Sequence, residues 1–151
     1  MNVNLEKRLL QIDSAILLSG FRKRPGSQTW IGEHVGKFLF SSANTYKYSN
    51  DPRIKQLMDA MAKEFISCQL PDGYLGTYLP KDYWTDWDVW AHKYAIIGLL
   101  NYYSVTGNAP ALAAARKAGI VRIVIDGIDY TKGCQGCGPD NLTQNKNKES
   151  C

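Results

Sequence analysis

A segment rich in both aromatic and ionisable side chains, residues 72–94, carries the clearest chemical signal of this chain. Its rings and ionisable groups are Tyr74, Tyr78, Tyr83, Trp84, Trp87, Trp90, Tyr94, Asp72, Asp82, Asp86, Asp88 and His92. Buried charges are costly unless paired, so a segment that only forms a core is not expected to mix carboxylates with tryptophans. Flat rings beside hydrogen-bonding groups suit a sugar, whereas an amphipathic helix start whose rings seal a core would have the same composition. Both interpretations stay open.

Eight residues are candidates for contact with such a ligand. They are Glu33, His34, Gln69, Asp72, Tyr74, Tyr78, Trp87 and His92. Glu33 and His34 lie between Gly32 and Gly36, whose small size lets a ligand or another backbone come close. The alternative for Glu33 and His34 is a buried pair that ties two helices together.

The other candidates also have structural alternatives. Asp72 before Gly73 is equally typical of plain turn chemistry. His92 fits either a sugar contact or a helix histidine with satisfied hydrogen bonds. Trp84, Trp87 and Trp90, each three residues apart, are expected on one helical face, and such stripes are more often core than binding platform.

Composition bounds the class of protein. With 151 residues, 44% of them hydrophobic, the chain is about one globular domain. The net charge of +4 is mild, and the basic cluster at 22–24 is expected to be a solvated turn, so no nucleic-acid partner is predicted. No membrane span and no signal peptide are predicted, although a periplasmic or secreted bacterial parent fits the same sequence.

Apolar spacing predicts an all-α organisation. Helices are expected over about 3–21, 31–48, 52–70 and 85–104, and a fifth helix follows Gly107. Asp51 is predicted to cap the third helix with Pro52 at its first position, and Thr85 with Asp88 is predicted to cap the fourth. Asn108 is predicted to open the fifth helix.

The helix junctions repeat at an offset of 57 residues. ANTYKYSNDPRI and LNYYSVTGNAPA superpose so that Tyr46 falls on Tyr103, Ser49 on Thr106 and Asp51 on Asn108. The same turn chemistry therefore occurs twice, with a tyrosine, a hydroxyl, an Asn50 or Gly107 able to adopt left-handed geometry, and then a capping side chain. Such a repeat is expected of a helical hairpin used as a building unit. Coincidence between two ordinary turns is the alternative.

The pattern changes near Ala118. Helical spacing gives way to IVRIVIDGIDY and then to a polar tail that can bury little. We predict a partial barrel domain over 1–118 and an atypical region over 119–151, interpreted as disordered or frameshifted, with a terminal strand as the alternative.

Three segments in this order resemble one family. WIGEHVGKFLFSSANTY at 30–46, SCQLPDGYLGTYLP at 67–80 and HKYAIIGLLNYYSVTG at 92–107 are similar to the N-terminal part of the β-L-arabinofuranosidase-like glycoside hydrolases, family 127 and its relatives. The resemblance covers about 5–118. It implies helical hairpins that form an incomplete part of an (α/α)6 barrel, and a parent that hydrolyses L-arabinofuranosides or related plant glycans with retention.

The resemblance also implies a cysteine nucleophile near a zinc ion and a glutamate acid/base. Those residues belong to later parts of the barrel, so we expect substrate-binding residues here but no catalytic residue, metal site or cofactor. Zinc is expected only in the full-length family. Cys134, Cys137 and Cys151 make a weak metal set, because a stable zinc site normally needs four ligands.

Two functions follow from these expectations. In the first, the chain is a glycosidase fragment that binds an L-arabinose-containing glycan and does not hydrolyse it, although Glu33 with Asp72 is a conceivable carboxylate pair. In the second, it is a non-catalytic helical module that binds carbohydrate or protein, with self-association through uncovered helix faces.

Overall fold

The structure is a computed structural model that describes residues 2–125, with side chains described for residues 5–120. Its helices are α1 Asn2–Lys7, α2 Ser14–Arg22, α3 Glu33–Ser49, α4 Pro52–Ser67, α5 Asp88–Thr106 and α6 Ala109–Ile125, with 3-10 turns at Leu9–Gln11 and Pro80–Asp82. Residues 2–125 contain no β-strand, which confirms the predicted all-α fold. None of these helices combines the length and the hydropathy that a bilayer crossing requires.

The chain divides into two units, 1–121 and 122–151. The second unit is described only over 122–125, where α6 ends. Because α6 continues through 119–125, those residues are helical and do not begin the alternative terminal strand. The predicted boundary at 118 stays a prediction, and so does the interpretation of the tail, most of which lies outside the described residues.

The helix predicted over 3–21 is in fact interrupted. The side chain of Asp13 accepts hydrogen bonds from the backbone N–H groups of Ala15 at 2.8 Å and Ile16 at 3.3 Å. An aspartate in this position satisfies donors that the first turn of a helix leaves free, so it begins a new helix. The apolar spacing continues across this break because both helices pack on the same core.

The repeated junctions have the same backbone geometry, as the offset of 57 residues predicts. Asn50 ends α3 with φ 50°, and Gly107 ends α5 with φ 68°. The N–H of Asn50 donates to the carbonyl of Tyr46 at 2.9 Å, and the N–H of Gly107 donates to that of Tyr103 at 2.8 Å. Both helices therefore end in the left-handed cap that glycine and asparagine adopt most easily.

The residues after each left-handed cap are also equivalent. The hydroxyl of Ser49 accepts from the N–H of Asp51, and that of Thr106 accepts from the N–H of Asn108, both at 3.2 Å. The Asp51 and Asn108 side chains then accept from the first turns of α4 and α6, at 2.8 Å and 3.0 Å. Two helical hairpins thus use one construction.

Helices α3 and α5 pack through glycines. A Cβ added at Gly98 would lie 2.6 Å from the Gly36 carbonyl oxygen, and one added at Gly36 would collide with the carbonyl of Tyr94. The space beside Gly36 is therefore occupied by backbone and not by a ligand. Glu33 contacts Trp90, and Lys37, one turn further along α3, contacts Tyr94, one turn further along α5, so the two helices run parallel.

Helices α2 and α4 complete the core beside α3. Phe21 of α2 meets Phe65 of α4 edge to face, with ring centroids 4.9 Å apart. The basic turn after α2 was predicted to be solvated, and for Arg24 this is wrong. Arg24 donates to the carbonyls of Gly76 at 2.9 Å and Cys68 at 3.0 Å. Arg24 therefore fastens this turn to the loop before α5.

Candidate functional site

Asp88 is the centre of a buried hydrogen-bond network at the start of α5. It has no exposed surface, and its carboxylate accepts from the Tyr74 hydroxyl at 2.8 Å and from the backbone N–H of Trp84 at 2.9 Å. The predicted capping pair of Thr85 with Asp88 is wrong, because no side chain caps α5. Asp88 turns inward to fasten the preceding loop, which satisfies its charge-bearing oxygens without solvent.

His92 lies one turn further along α5 in the same network. Its Nε2 accepts from the backbone N–H of Leu75 at 3.0 Å, and its Nδ1 lies 3.2 Å from the Asp88 carbonyl oxygen. Because Nε2 is an acceptor, the proton is on Nδ1 and the ring is neutral in this arrangement. His92 is 1% exposed, which favours the structural alternative over direct contact with a sugar.

Tyr74 has no accessible surface either. Its ring stacks on Tyr83 with centroids 3.6 Å apart, and its hydroxyl accepts from the backbone N–H of Tyr78 at 3.0 Å. Burial, and next the nearby Asp88 carboxylate, raise the pKa of Tyr74 well above the ordinary tyrosine value. Tyr74 therefore acts as a neutral donor that organises the loop.

Gln69 and Asp72 support the turn after α4. The Gln69 amide donates to the carbonyls of Gly73 at 2.9 Å and Ala114 at 3.0 Å, so it also connects the turn to α6. The Asp72 carboxylate accepts from the N–H of Tyr74 at 2.9 Å. This is the turn chemistry that the sequence left open as an alternative.

Glu33 joins α3 to α5. Its residue surface is 8% exposed, and its two carboxylate oxygens accept from the Trp90 indole N–H and from the Lys37 ammonium group, each at 2.5 Å. His34 is less closely associated, with its Nε2 3.9 Å from the Glu33 carboxylate. His34, together with Lys37, lines a cavity of about 460 Å³ between residues 8–17 and α3.

Three rings at the N-terminal end of α5, Trp87, Trp90 and Tyr94, form what we call the aromatic platform. Trp87 and Trp90 meet at 90° with centroids 6.4 Å apart, and Trp90 meets Tyr94 at 5.5 Å. Trp87 is 43% exposed and Trp90 is 41% exposed. The ammonium group of Lys93 lies 3.3 Å from the Trp90 ring centroid, so it covers one face of that ring.

The expected stripe of three tryptophans on one helical face is wrong. Trp84 precedes α5, has φ 66°, and packs against His92 with centroids 4.7 Å apart. Trp87 and Trp90 lie at the beginning of α5 and expose much of their surface, which contradicts their interpretation as core. The left-handed backbone at Trp84 breaks the helical spacing that the sequence pattern assumed.

Trp90 and Lys37 were not predicted as site residues, although the sequence contained a signal for them. Glu33 and Trp90 are 57 residues apart, as are Lys37 and Tyr94, whose ring lies 4.7 Å from the Lys37 ammonium group. The offset read from the helix junctions is therefore also the register in which α3 and α5 pack. Extending it to the N-terminal ends of both helices would have paired these residues.

Tyr78 lies in a second environment, a cavity of about 340 Å³ between residues 25–29 and 77–86. Its hydroxyl is 3.4 Å from the Asp86 carboxylate. Burial first, and then the Asp86 charge, raise the pKa of Tyr78, so its hydroxyl is neutral and able to donate.

Within residues 2–125, no group of three or more histidine, cysteine, aspartate or glutamate side chains is arranged to hold a metal ion. Cys134, Cys137 and Cys151 lie outside the described residues. Glu33 and Asp72 share no hydrogen-bond partner, since Glu33 bonds Trp90 and Lys37 while Asp72 bonds the turn.

The architecture is that of helical hairpins from an (α/α) toroid. The catalytic-domain model of the GH127 β-L-arabinofuranosidases matches residues 13–133. The chain therefore belongs to the GH127 β-L-arabinofuranosidase catalytic-domain family of glycoside hydrolases. The match continues past residue 118, where the predicted resemblance ends, to residue 133.

One similar solved structure is a GH127 β-L-arabinofuranosidase from Geobacillus stearothermophilus T6. It has a TM-score of 0.63 and 21% sequence identity over 79% of this chain, a likeness that shows the fold. This chain spans 21% of that protein's length. No curated protein matches the chain.

Proposed function

We propose that this chain supplies substrate-binding residues of a glycosidase that acts on L-arabinofuranosides or related plant glycans. The observation that carries the proposal is the aromatic platform, in which the exposed Trp87 and Trp90 rings stand beside the paired charges of Glu33 and Lys37. Family membership supports a carbohydrate as the ligand. The contacting residues in this proposal are Glu33, Lys37, Trp87, Trp90 and Tyr78.

The platform has the properties that sugar stacking requires. The Trp90 indole is held by Glu33 at 2.5 Å and by Tyr94 edge to face, so little side-chain freedom remains to be lost on binding. Trp87 meets Trp90 at right angles and keeps 43% of its surface exposed for an apolar sugar face. A carboxylate has about four acceptor positions, so Glu33 can accept from a sugar hydroxyl beside its two present donors.

The same contacts support binding without bond cleavage by the described residues. Retaining hydrolysis canonically needs two groups about 5 Å apart on either side of the scissile bond. Glu33 has acceptor positions left for a sugar hydroxyl, but its charge is paired with Lys37, and Asp88 is buried behind Tyr74 and Trp84. We therefore assign no nucleophile and no acid/base among residues 2–125.

A titration calorimetry series tests the proposal with the 151-residue chain and a β-L-arabinofuranosyl disaccharide. Trp87→Ala should weaken binding about tenfold, because the loss of one stacking ring is expected to cost about 1.4 kcal/mol. Tyr48→Ala is the matched control, since Tyr48 is 71% exposed but lies at the C-terminal end of α3, about 22 Å along the helix from Glu33. Equal loss in both variants, or no binding by the parent chain, would overturn the proposal.

Release of the aryl group from an aryl L-arabinofuranoside gives an independent check on catalysis. We expect no turnover by the chain alone. Turnover that disappears in Glu33→Gln would contradict the assignment of Glu33 as a binding residue.

A second candidate function is that of a helical module that binds another protein or a second copy of itself. Exposed Phe40 of α3 and Leu100 of α5, 42% and 40% exposed, favour it. Sedimentation across a hundredfold concentration range separates the two functions: a self-association that disappears in Phe40→Ser and is unaffected by the disaccharide would support the module.

A further inference from the structure

The two histidines of this chain lie in different environments. The side chain of His34 is 37% exposed, whereas that of His92 is 2% exposed. The rings of Tyr74 and Trp84 both pack against the His92 ring, each with its centroid 4.7 Å away. His92 is therefore enclosed by the loop that precedes α5.

The ring nitrogens of His92 join α5 to that loop. Nε2 accepts from the backbone N–H of Leu75 at 3.0 Å, and Nδ1 lies 3.2 Å from the carbonyl oxygen of Asp88 within α5. An Nε2 atom that accepts a hydrogen bond carries no proton, so the ring is neutral while the Leu75 bond exists. Protonation of Nε2 and the hydrogen bond from Leu75 therefore exclude each other.

The loop backbone beside this hydrogen bond is in close contact with the side chains around α5. A Cβ added at Gly76, the residue after Leu75, would lie 2.5 Å from a carboxylate oxygen of Asp88. A protonated Nε2 would place its N–H against the N–H of Leu75 in this enclosed site. Two buried donors that face each other both lose a hydrogen bond, which costs free energy.

The charged and titratable groups around the ring offset only part of this cost. The Asp88 carboxylate lies 3.7 Å from Nδ1 and favours a positive ring, but its oxygens already accept from two donors of the loop. The Arg24 guanidinium lies 5.7 Å from the Tyr74 ring centroid and disfavours a second positive charge there. Tyr74 and the stacked Tyr83 carry no charge in acid. None of these groups removes the conflict between Nε2 and the Leu75 N–H.

We propose that His92 is a pH-sensitive latch between α5 and residues 74–84. When the ring takes up a proton, the Leu75 hydrogen bond is lost and the loop leaves α5, which exposes the ring to water. A histidine ring in water binds a proton near pH 6.5, so the released form binds more protons than the docked form below that pH. The docked form therefore loses stability as pH falls through this range. The inference concerns the loop and does not depend on carbohydrate binding.

Hydrogen exchange of the Leu75 amide in the 151-residue chain, followed by NMR, tests the latch. After correction for the intrinsic effect of pH on exchange, Leu75 protection should fall at least tenfold between pH 7.5 and pH 5.0. Uptake of a single proton limits this fall to about thirtyfold. The amide of Leu99, a fully buried residue of α5, should keep its protection. Unchanged protection at Leu75, or an equal loss at Leu75 and Leu99, would overturn the proposal.

His92→Gln and His34→Gln form a matched pair of variants, because the chain has two histidines. The glutamine oxygen in His92→Gln can accept from Leu75 but does not titrate, so Leu75 protection should change by about twofold or less over the same pH range. His34→Gln should keep the full fall of at least tenfold. A pH dependence that persists in His92→Gln, or that disappears in His34→Gln, would assign the effect to another group and overturn the proposal.

Ring-nitrogen NMR shifts of His92 in the unsubstituted chain decide the question if His92→Gln does not fold. The latch predicts a neutral ring at pH 7.5 that becomes charged over the same pH range in which Leu75 loses protection. A ring that becomes charged while Leu75 stays protected would contradict the latch.

Discussion

The Glu33 carboxylate accepts a hydrogen bond from the Trp90 indole at 2.5 Å, across an interface between two helices whose partners are 57 residues apart. The same carboxylate pairs with Lys37, so its charge is balanced although Glu33 is 8% exposed. One contact therefore has two consequences. It fixes the register of α3 against α5, and it holds an exposed ring of the aromatic platform in place.

A double-mutant cycle measures this contact. Glu33→Ala and Trp90→Phe should couple by about 1–3 kcal/mol in the free energy of unfolding, because each single change leaves a half-buried partner unsatisfied. The surface pair Lys55–Asp59, 2.7 Å apart and four residues apart on α4, is the control and should couple by about 0.5 kcal/mol or less. Coupling of Glu33 with Trp90 no larger than that of the control would show that the contact does not hold the helices.

Glycine substitutions should have opposite effects at two helical positions. Gly36→Ala should destabilise the fold by at least about 2 kcal/mol, because the new methyl group meets the Tyr94 backbone, which cannot move aside without separating α3 from α5. Gly119→Ala meets nothing within 4 Å and should stabilise α6 by about 0.5–1 kcal/mol. Urea denaturation monitored by circular dichroism gives both values, and a neutral Gly36→Ala would contradict the described helix packing.

Two aspartates of the aromatic segment should respond differently to the same isosteric change. Asp88→Asn should lower the free energy of unfolding by about 2–3 kcal/mol, since it weakens the charge-assisted bonds from Tyr74 and Trp84. The new amide NH2 group would also face one of these two donors. Asp72→Asn should stay within about 0.5 kcal/mol, because asparagine supports the same turn. Thermal unfolding of both variants would refute the assignment if Asp72 proved the more sensitive.

Stability should fall in alkali partly through Tyr102. Burial, followed by its hydrogen bond to Asp59 at 2.8 Å, raises the pKa of Tyr102 to about 12. In the unfolded chain the Tyr102 hydroxyl ionises near pH 10, whereas in the folded chain it stays protonated to higher pH. Its contribution to stability is therefore complete below pH 10 and declines as pH rises toward 12. In denaturant midpoints measured from pH 9 to pH 12, Tyr102→Phe should show a shallower decline than Tyr48→Phe, and parallel declines would contradict the role of Tyr102.

Local chemistry was predictable from the sequence. The left-handed ends at Asn50 and Gly107 and the caps Asp51 and Asn108 depend on a few neighbouring residues, and all four occur as expected. The break at Asp13 is equally local, but continuous apolar spacing on either side concealed it.

Burial within the aromatic segment was not predictable in the same way. The spacing of residues in the segment indicates which of them share a helical face. The burial of the Asp88 side chain, in contrast, depends on its hydrogen bond with Tyr74, a residue 14 positions away in a loop. For the same reason His92 is buried beneath Leu75 while Trp87 stays exposed. The aromatic and ionisable residues of this segment thus divide into a buried structural network and an accessible platform. This division exists only when the loop before α5 is folded over the helix.

The most direct measurement of the central claim is an indole NMR titration of the chain with the β-L-arabinofuranosyl disaccharide, because each of the four tryptophans gives its own Nε1–H signal. The account predicts that the Trp87 and Trp90 signals shift in a saturable manner. The Trp84 signal, from a ring packed on His92, should shift much less. A shift of Trp84 that exceeds those of Trp87 and Trp90, or the absence of any shift at saturating disaccharide, would contradict carbohydrate binding by the aromatic platform.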